Sequence, residues 1–352
     1  VERLEKLFNK ISKNNIDALF VVAGPNIRYI TNFSGEEGTF LTIANELLLI
    51  VDSRFSEQAK GEVFEGVTVL EYSGKLADFL ENLIKEKKIH WLGVERERVS
   101  FNMFQALSNI PSINIVPLSE FIEDFRMLKD DSELTLIRNA CNISTKSFRE
   151  ILPLIKEGIT EKEIACELEF RFRKNGGDKP SFDTIVASGE RGALPHGVAS
   201  DKKIKAHEPI VFDFGVFYNG YASDTTRTVC IGEPSDEFKN YYKAVFESQE
   251  IGREFAKKGI KASDLDKKVR DYLKGKELTF GHGLGHGVGL EIHELPYVNA
   301  SSAFTLEENM VITIEPGLYF ANKFGMRLED TVIVKNEGIE QLIDLTHDVI
   351  IL

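Results

Sequence analysis

Ile210-Val211-Phe212-Asp213-Phe214-Gly215-Val216-Phe217-Tyr218-Asn219-Gly220-Tyr221-Ala222-Ser223-Asp224-Thr225-Thr226-Arg227-Thr228 places an acid on each side of an Asn-Gly pair. The flanking runs are β-branched and aromatic, and Asn-Gly between such runs is the strongest short signal for a two-residue hairpin. With Asn219 and Gly220 as the loop, Tyr218 faces Tyr221, Gly215 faces Asp224 and Asp213 faces Thr226. Asp213 and Asp224 then become diagonal neighbours on one face, their backbones about 7–8 Å apart. Two carboxylates in a sheet interior repel each other unless a cation sits between them. The bland alternative is a solvent-facing pair on an edge hairpin.

Downstream residues weigh against that alternative. Met310-Val311-Ile312-Thr313-Ile314-Glu315-Pro316-Gly317 reads as a strand ending in an acid, and Met326 to Val334 reads as a strand with Glu329 inside it. Six of the seven histidines follow residue 190, and His282, His286 and His293 lie close together. His282 and His286 stand four apart, but the five glycines in Gly281–Gly289 argue against a helix and hence against a helical zinc site. Four carboxylates and one imidazole form a hard, oxygen-rich donor set. It suits two divalent ions such as Mn²⁺ or Co²⁺, with Zn²⁺ admissible.

The rest of the chain supplies a frame for this site. At 352 residues it is long enough for two domains. Leu4, Leu7, Phe8 and Ile11 mark an amphipathic helix, and Asp17–Val22 a buried strand. A hairpin across Ala44-Asn45-Glu46, strands at Leu47–Val51, Val67–Leu70 and Trp91–Val94, and helices from Ser53 and over Leu76–Lys87 continue an α/β domain spanning residues 1–122. This domain has one histidine, His90, and no Gly-rich phosphate loop, so nothing in it proposes chemistry. The second domain, 123–352, opens with a long helix capped by Asp130 and Glu133, its inner face marked by Leu134, Ile137, Cys141, Ser144 and Phe148. Thr160-Glu161-Lys162-Glu163 caps another helix. Strands and Gly-rich turns dominate from about Thr184, interrupted by helices near Asp236–Lys257 and Leu265–Leu273, an α+β pattern.

Composition excludes several function classes. Lys plus Arg number 43 against 56 for Asp plus Glu, so the net charge of -13 repels phosphate backbones and no nucleic-acid partner is expected. No run of about 18 apolar residues occurs, and the first residues are charged and amphipathic, so no membrane association is expected. Cys141, Cys166 and Cys230 lack metal-ligand spacing and read as small buried hydrophobes in a reducing compartment, which gives a cytoplasmic expectation.

Asp213-Phe214-Gly215, Asp224-Thr225-Thr226-Arg227-Thr228, Gly281 to Glu294, Ile314-Glu315-Pro316-Gly317 and Arg327-Leu328-Glu329-Asp330-Thr331 together resemble the pita-bread metallopeptidases, in the branch of aminopeptidase P and prolidase. The likeness covers the whole C-terminal half, and a creatinase-like α/β N-terminal domain fits the same branch. It implies that Asp213 chelates one ion, His286 and Glu315 the other, and that Asp224 and Glu329 bridge both. It further implies a cleft lined by the non-ligand histidines His196, His282 and His293. In that cleft His293 would donate to the oxyanion, Glu315 would shuttle a proton, and His196 and Tyr221 would wall a proline pocket. Peptides with proline in second position are the implied partners, and a homodimer the implied assembly.

One departure bears on specificity. Many prolidases carry Arg directly after the proline of the His-Glu-x-Pro segment, where it grips a dipeptide's carboxylate; here Tyr297 follows Pro296. The expectation is therefore an Xaa-Pro aminopeptidase, with an Xaa-Pro dipeptidase as the alternative, in which Arg327 or a cation that the sequence does not place supplies the missing charge. A metal-free creatinase-like hydrolase or a non-catalytic pita-bread binding module would show gaps in the ligand set, and all five positions are filled.

Overall fold

The computed structural model describes residues 2–44 and 46–352. Asn45, in the turn expected across Ala44-Asn45-Glu46, lies outside the described residues, while Ile43 and Glu46 on either side face each other in an antiparallel ladder. The chain forms two compact units, ending at Arg126 and beginning at Met127. The division falls slightly beyond the expected one at residue 122 because a short helix, Glu123–Arg126, is tied back onto the first unit. Arg126 Nη1 donates to Asn26 Oδ1 at 2.7 Å, and Lys10 Nζ reaches Asp124 Oδ2 at 2.7 Å.

The first unit is α/β. Strands β1 (Ala18–Val21), β2 (Thr39–Ile43), β3 (Glu46–Val51), β4 (Val67–Glu71), β5 (Trp91–Glu95) and β6 (Asn114–Leu118) form one sheet in the order β4-β3-β2-β1-β5-β6. The helices Gly24–Thr31 and Phe101–Ser108 add to the expected elements. Both are short, with modest amphipathic patterning, so local caps and tertiary contacts fix them more than periodicity does.

In the second unit the strands are β7 (Lys179–Pro180), β8 (Ile185–Ser188), β9 (Pro209–Phe214), β10 (Val216–Tyr218), β11 (Tyr221–Ala222), β12 (Thr225–Cys230), β13 (Gly285–Gly287), β14 (Glu294–Val298), β15 (Val311–Ile314), β16 (Gly317–Phe320), β17 (Phe324–Arg327), β18 (Glu329–Lys335), β19 (Gly338–Gln341) and β20 (Ile350–Ile351). The main sheet runs β14-β13-β15-β18-β12-β9-β8, with β19 on β18 and β20 on β12. The helix Asp131–Ile151 opens with a reciprocal capping box between Asp130 and Glu133, and the helix Glu161–Lys174 with one between Thr160 and Glu163.

Period-2 alternation divides the sheet into an apolar and a polar face. Phe212 and Phe214 of β9 point to one side, where Phe148 stacks on Phe214 at 4.7 Å and meets Phe212 edge-on at 5.5 Å. Ile312, Ile314, Val332 and Val334 likewise enter a core with Leu265 and Val269 from the helix Ala262–Lys274. Each such side chain contributes about 1.5–3 kcal/mol by leaving water. Asp213 and Thr313, which lie between them, and Thr331, which precedes Val332 and pairs with Thr313, are left for the other face. Cys141 and Cys230 are buried, but Cys166 is exposed, contrary to its expected core role. No helix among the described residues is long and apolar enough to cross a membrane.

Candidate metal centre

The Asn-Gly turn sets the register of the site. Tyr218 faces Tyr221, and the same count continues into the main sheet, where Phe214 faces Thr225 and Asp213 faces Thr226. Thr226 in turn faces Glu329 of β18, so Asp213, Thr226 and Glu329 form one row across three strands. Between the two parts of the hairpin the ladder breaks at Gly215. A Cβ there would lie 1.9 Å from Ser223 O, so no larger residue lets the strands approach this closely. Gly285 plays the same part beside β15, where a Cβ would stand 2.0 Å from Thr313 O. That approach brings His286 to the acids.

The ligand residues were expected inside strands, and the fit is looser than that. Asp224 immediately precedes β12, Glu315 immediately follows β15, and the run from Met326 breaks at Leu328. The break has a physical origin: β17 pairs with β16 in a separate two-stranded sheet, whereas β18 joins the main one.

Asp224, His286 and Glu329 each offer a donor atom within 4.8 Å of the others. His286 Nε2 lies 3.5 Å from Asp224 Oδ2 and 3.4 Å from Glu315 Oε1, while its Nδ1 lies 3.1 Å from Gly287 O. A proton on Nδ1, donated to that carbonyl, leaves the Nε2 lone pair facing the carboxylates, as a metal-ligating imidazole requires. Asp213 Oδ1, Asp224 Oδ1 and Glu329 Oε1 are buried acceptors with no hydrogen-bond partner. Unpartnered carboxylate oxygens at that depth are costly unless a cation meets them, so these residues fit divalent ions.

The electrostatics point the same way. Burial, reinforced by the other carboxylates, holds Asp224 and Glu329 well above the ordinary carboxylate range. Glu315 is pushed up to about 8, chiefly by burial. Burial also drives His286 down to about 3 and His282 down to about 4, and lowers His293. Without metal the site therefore favours protonated acids beside neutral imidazoles, and a divalent cation takes the place of those acid protons.

All five ligand candidates line one cavity of about 470 Å³, together with His196, His282, His293, Tyr297 and Arg327. Tyr221 is not among its walls, which corrects the expectation for that residue. Tyr221 is buried, and its hydroxyl donates to Glu133 Oε1 at 2.8 Å. Beyond Gly215 the hairpin leaves the main sheet and pairs with β7 instead. Arg327 also departs from its substrate-gripping role. Its Nη2 contacts Asp213 Oδ2, its Nη1 donates to Tyr319 Oη at 2.8 Å and Pro195 O at 3.2 Å, and its Nε donates to Thr226 Oγ1 at 3.0 Å. The guanidinium thus braces the site's own wall.

Three supporting residues go beyond the candidates that the sequence singles out. Thr226 Oγ1 donates to Glu329 Oε2 at 2.6 Å, a role the hairpin register already implies by placing Thr226 opposite Asp213. Thr313 Oγ1 accepts from His286 N at 3.1 Å and lies 3.2 Å from Glu315 Oε1; its position two before Glu315 is the available signal. Tyr319 Oη stands 3.0 Å from His282 Nε2, and nothing in its local sequence marks it.

Known proteins match this arrangement along the whole chain. Residues 135–336 match metallopeptidase family M24, and residues 3–128 match the creatinase/prolidase N-terminal domain. An Xaa-Pro dipeptidase of Pyrococcus furiosus is 38% identical over 347 residues, covering 97% of each chain. Among solved structures, an Xaa-Pro dipeptidase from Bacillus anthracis superposes with a TM-score of 0.96 at 38% identity, covering 100% of this chain and 99% of that one. An X-Pro aminopeptidase from Thermotoga maritima MSB8 gives 0.92 at 40% identity, covering 99% of each. With a creatinase-type N-terminal domain followed in sequence by a pita-bread domain that gathers four acids and a histidine, the chain belongs to metallopeptidase family M24.

Proposed function

We propose that this metallopeptidase hydrolyses the Xaa-Pro bond at the N-terminus of peptides, as an aminopeptidase that accepts chains continuing past the proline. The observation that carries the reading is the composition of the cavity wall: five convergent ligands, three further histidines, and Arg327 as the one Lys or Arg lining it among the described residues. Asp213, Asp224, His286, Glu315 and Glu329 would hold two divalent ions, which supply Lewis-acid polarisation of the scissile carbonyl and an activated water. We take these ions to be Mn²⁺ or Co²⁺, as an acid-rich ligand set favours. A homodimer and a cytoplasmic setting are consistent with the family and the composition.

The side chains divide the remaining work. His293 packs edge-on against His286 at 4.3 Å and faces the cavity, where it would donate to the carbonyl oxygen as negative charge develops there. Glu315 would move a proton to the departing proline nitrogen. That imide nitrogen carries no hydrogen before cleavage, so selection for proline must come from shape. His196, Ile185 and Val198 provide walls of the kind a pyrrolidine ring needs. His282, held between Gly283 O at 2.8 Å and Tyr319, also lines the cavity and would help orient the substrate.

Strict dipeptidase action is the second reading, and the names of the Pyrococcus furiosus and Bacillus anthracis relatives favour it. A dipeptidase needs a cation for the free carboxylate. Arg327 is committed to Asp213, and Tyr297 stands where an Arg would serve. Assaying an Xaa-Pro dipeptide beside its Xaa-Pro-Xaa extension with Mn²⁺-loaded protein tests both readings. Failure to cleave either peptide would remove the Xaa-Pro assignment altogether.

A further inference from the structure

A buried carboxylate remote from the metal ligands has no part in the proposed chemistry. Glu161 opens the helix Glu161–Lys174 and is fully buried, yet the cap of that helix is already provided by Thr160 and Glu163. Its two oxygens accept five hydrogen bonds: from Ser188 N and Oγ, each at 2.8 Å, from Arg191 Nε at 2.9 Å, and from Ser200 N and Oγ at 3.1 and 2.6 Å. Ser188 ends β8 and Ser200 lies just past Ala199, so one carboxylate ties together both ends of the segment that carries Pro195-His196-Gly197. Arg191 adds a strut across that segment, its Nη2 donating to Val198 O at 2.6 Å.

The segment is also fixed against the cavity. Arg327 Nη1 reaches Pro195 O, and Gly192 lies so close to β17 that a Cβ on Gly325 would stand 1.8 Å from Gly192 O. His196 and Val198 line the cavity, whereas Glu161 does not. A buried carboxylate satisfied by four donors from the two ends of one loop and by a guanidinium within it is strongly held, because losing a partner leaves part of its charge uncompensated.

We propose that Glu161 is a positioning residue that sets the place of His196 in the cleft and through it the productive seating of substrate. The proposal rests on the reading of this cavity as the peptide site. Displacing a substrate-contacting group by about 1 Å can cost on the order of 100-fold in rate, so a residue that touches no substrate can still govern turnover.

The test is a double-mutant cycle on the Mn²⁺-loaded full chain with Glu161→Gln, His196→Ala and the pair, assayed on an Xaa-Pro-Xaa tripeptide. Glu161→Gln is expected to lower kcat/KM by about 10- to 100-fold while retaining its metal. Amide hydrogen exchange across residues 189–200 should accelerate, and the double variant should be no slower than His196→Ala alone. Multiplying losses in the double variant, or unchanged exchange in that segment, would overturn the proposal. If Glu161→Gln does not fold, Ser200→Ala removes one hydroxyl donor while the carboxylate stays paired; a smaller loss that again vanishes on the His196→Ala background supports the proposal, and no loss overturns it. A wild-type protein that cleaves no Xaa-Pro peptide would sink the functional reading instead, and exchange in residues 189–200 would still decide whether Glu161 holds the loop.

Discussion

Thr226 stands opposite Asp213 on one side and Glu329 on the other, and its hydroxyl donates to Glu329 while accepting from Arg327. One small side chain thus fixes a ligand candidate and the guanidinium that braces Asp213. Thr226→Val keeps the shape and removes the hydroxyl, leaving Arg327 Nε and Glu329 Oε2 each without this partner. Mn²⁺ affinity, measured by calorimetric titration of the stripped protein, is expected to weaken by about 10- to 100-fold, the usual range for groups that orient a ligand. Unchanged affinity would show that the sheet alone orients Glu329.

The metal-free protein should lose stability as pH rises from about 6.5 to 8. A carboxyl whose folded pKa lies above its unfolded value of about 4 binds its proton longer in the native state, so stability falls between the two values. Asp224, Glu329 and Glu315, the last pushed up to about 8, all act in this direction. His286, His282 and His293 are lowered and so oppose the trend, but only below their unfolded value of about 6.5. The window above it belongs to the acids. Thermal unfolding in chelator should show a falling Tm across that window, and saturating Mn²⁺ should raise Tm most at its alkaline end. A flat Tm in chelator would mean that the acids do not crowd one another.

His286 and His293 share one ring contact and should nevertheless separate by experiment. His286→Ala removes an Nε2 that lies 3.4–3.5 Å from two carboxylates, so bound metal and activity should fall together. His293→Ala should keep the metal and lose kcat by about 100- to 1000-fold, the usual cost of one transition-state donor. Elemental analysis of both purified variants makes the comparison. Equal metal loss in the two would place His293 among the ligands.

Much of this site is legible in the sequence because short-range rules determine it. Asn219-Gly220 sets a two-residue loop, and counting outward from it gives Asp213 opposite Thr226 without any tertiary information. Capping residues likewise mark both helices, Asp131–Ile151 and Glu161–Lys174. Counting cannot reveal where the ladder breaks. Gly215 lets the hairpin tip leave the main sheet, which takes Tyr221 to Glu133 rather than to a proline pocket. Arg327 eludes a sequence reading for a related reason: its position in the chain puts it at the cavity, but its partners Pro195 and Asp213 arrive from distant segments and Tyr319 from the facing strand β16.

Substrate length should follow from the charge missing beside Pro296. A dipeptidase must desolvate a free carboxylate one residue beyond the scissile bond, and a bidentate Arg holds that group best. Tyr297 is 44% exposed and lines the cavity, so it offers a flat ring to a continuing chain and no counter-charge to a chain end. Arg327 is held by Asp213, Tyr319, Pro195 O and Thr226 together, so turning to a substrate carboxylate would forfeit all of these contacts. An Xaa-Pro-Xaa tripeptide should therefore show a higher kcat/KM than the matching Xaa-Pro dipeptide. Tyr297→Arg should narrow or invert that preference by improving dipeptide cleavage, with metal content unchanged. A wild-type protein that hydrolyses the dipeptide tenfold faster, about 1.4 kcal/mol of transition-state stabilisation, would instead assign it as a dipeptidase.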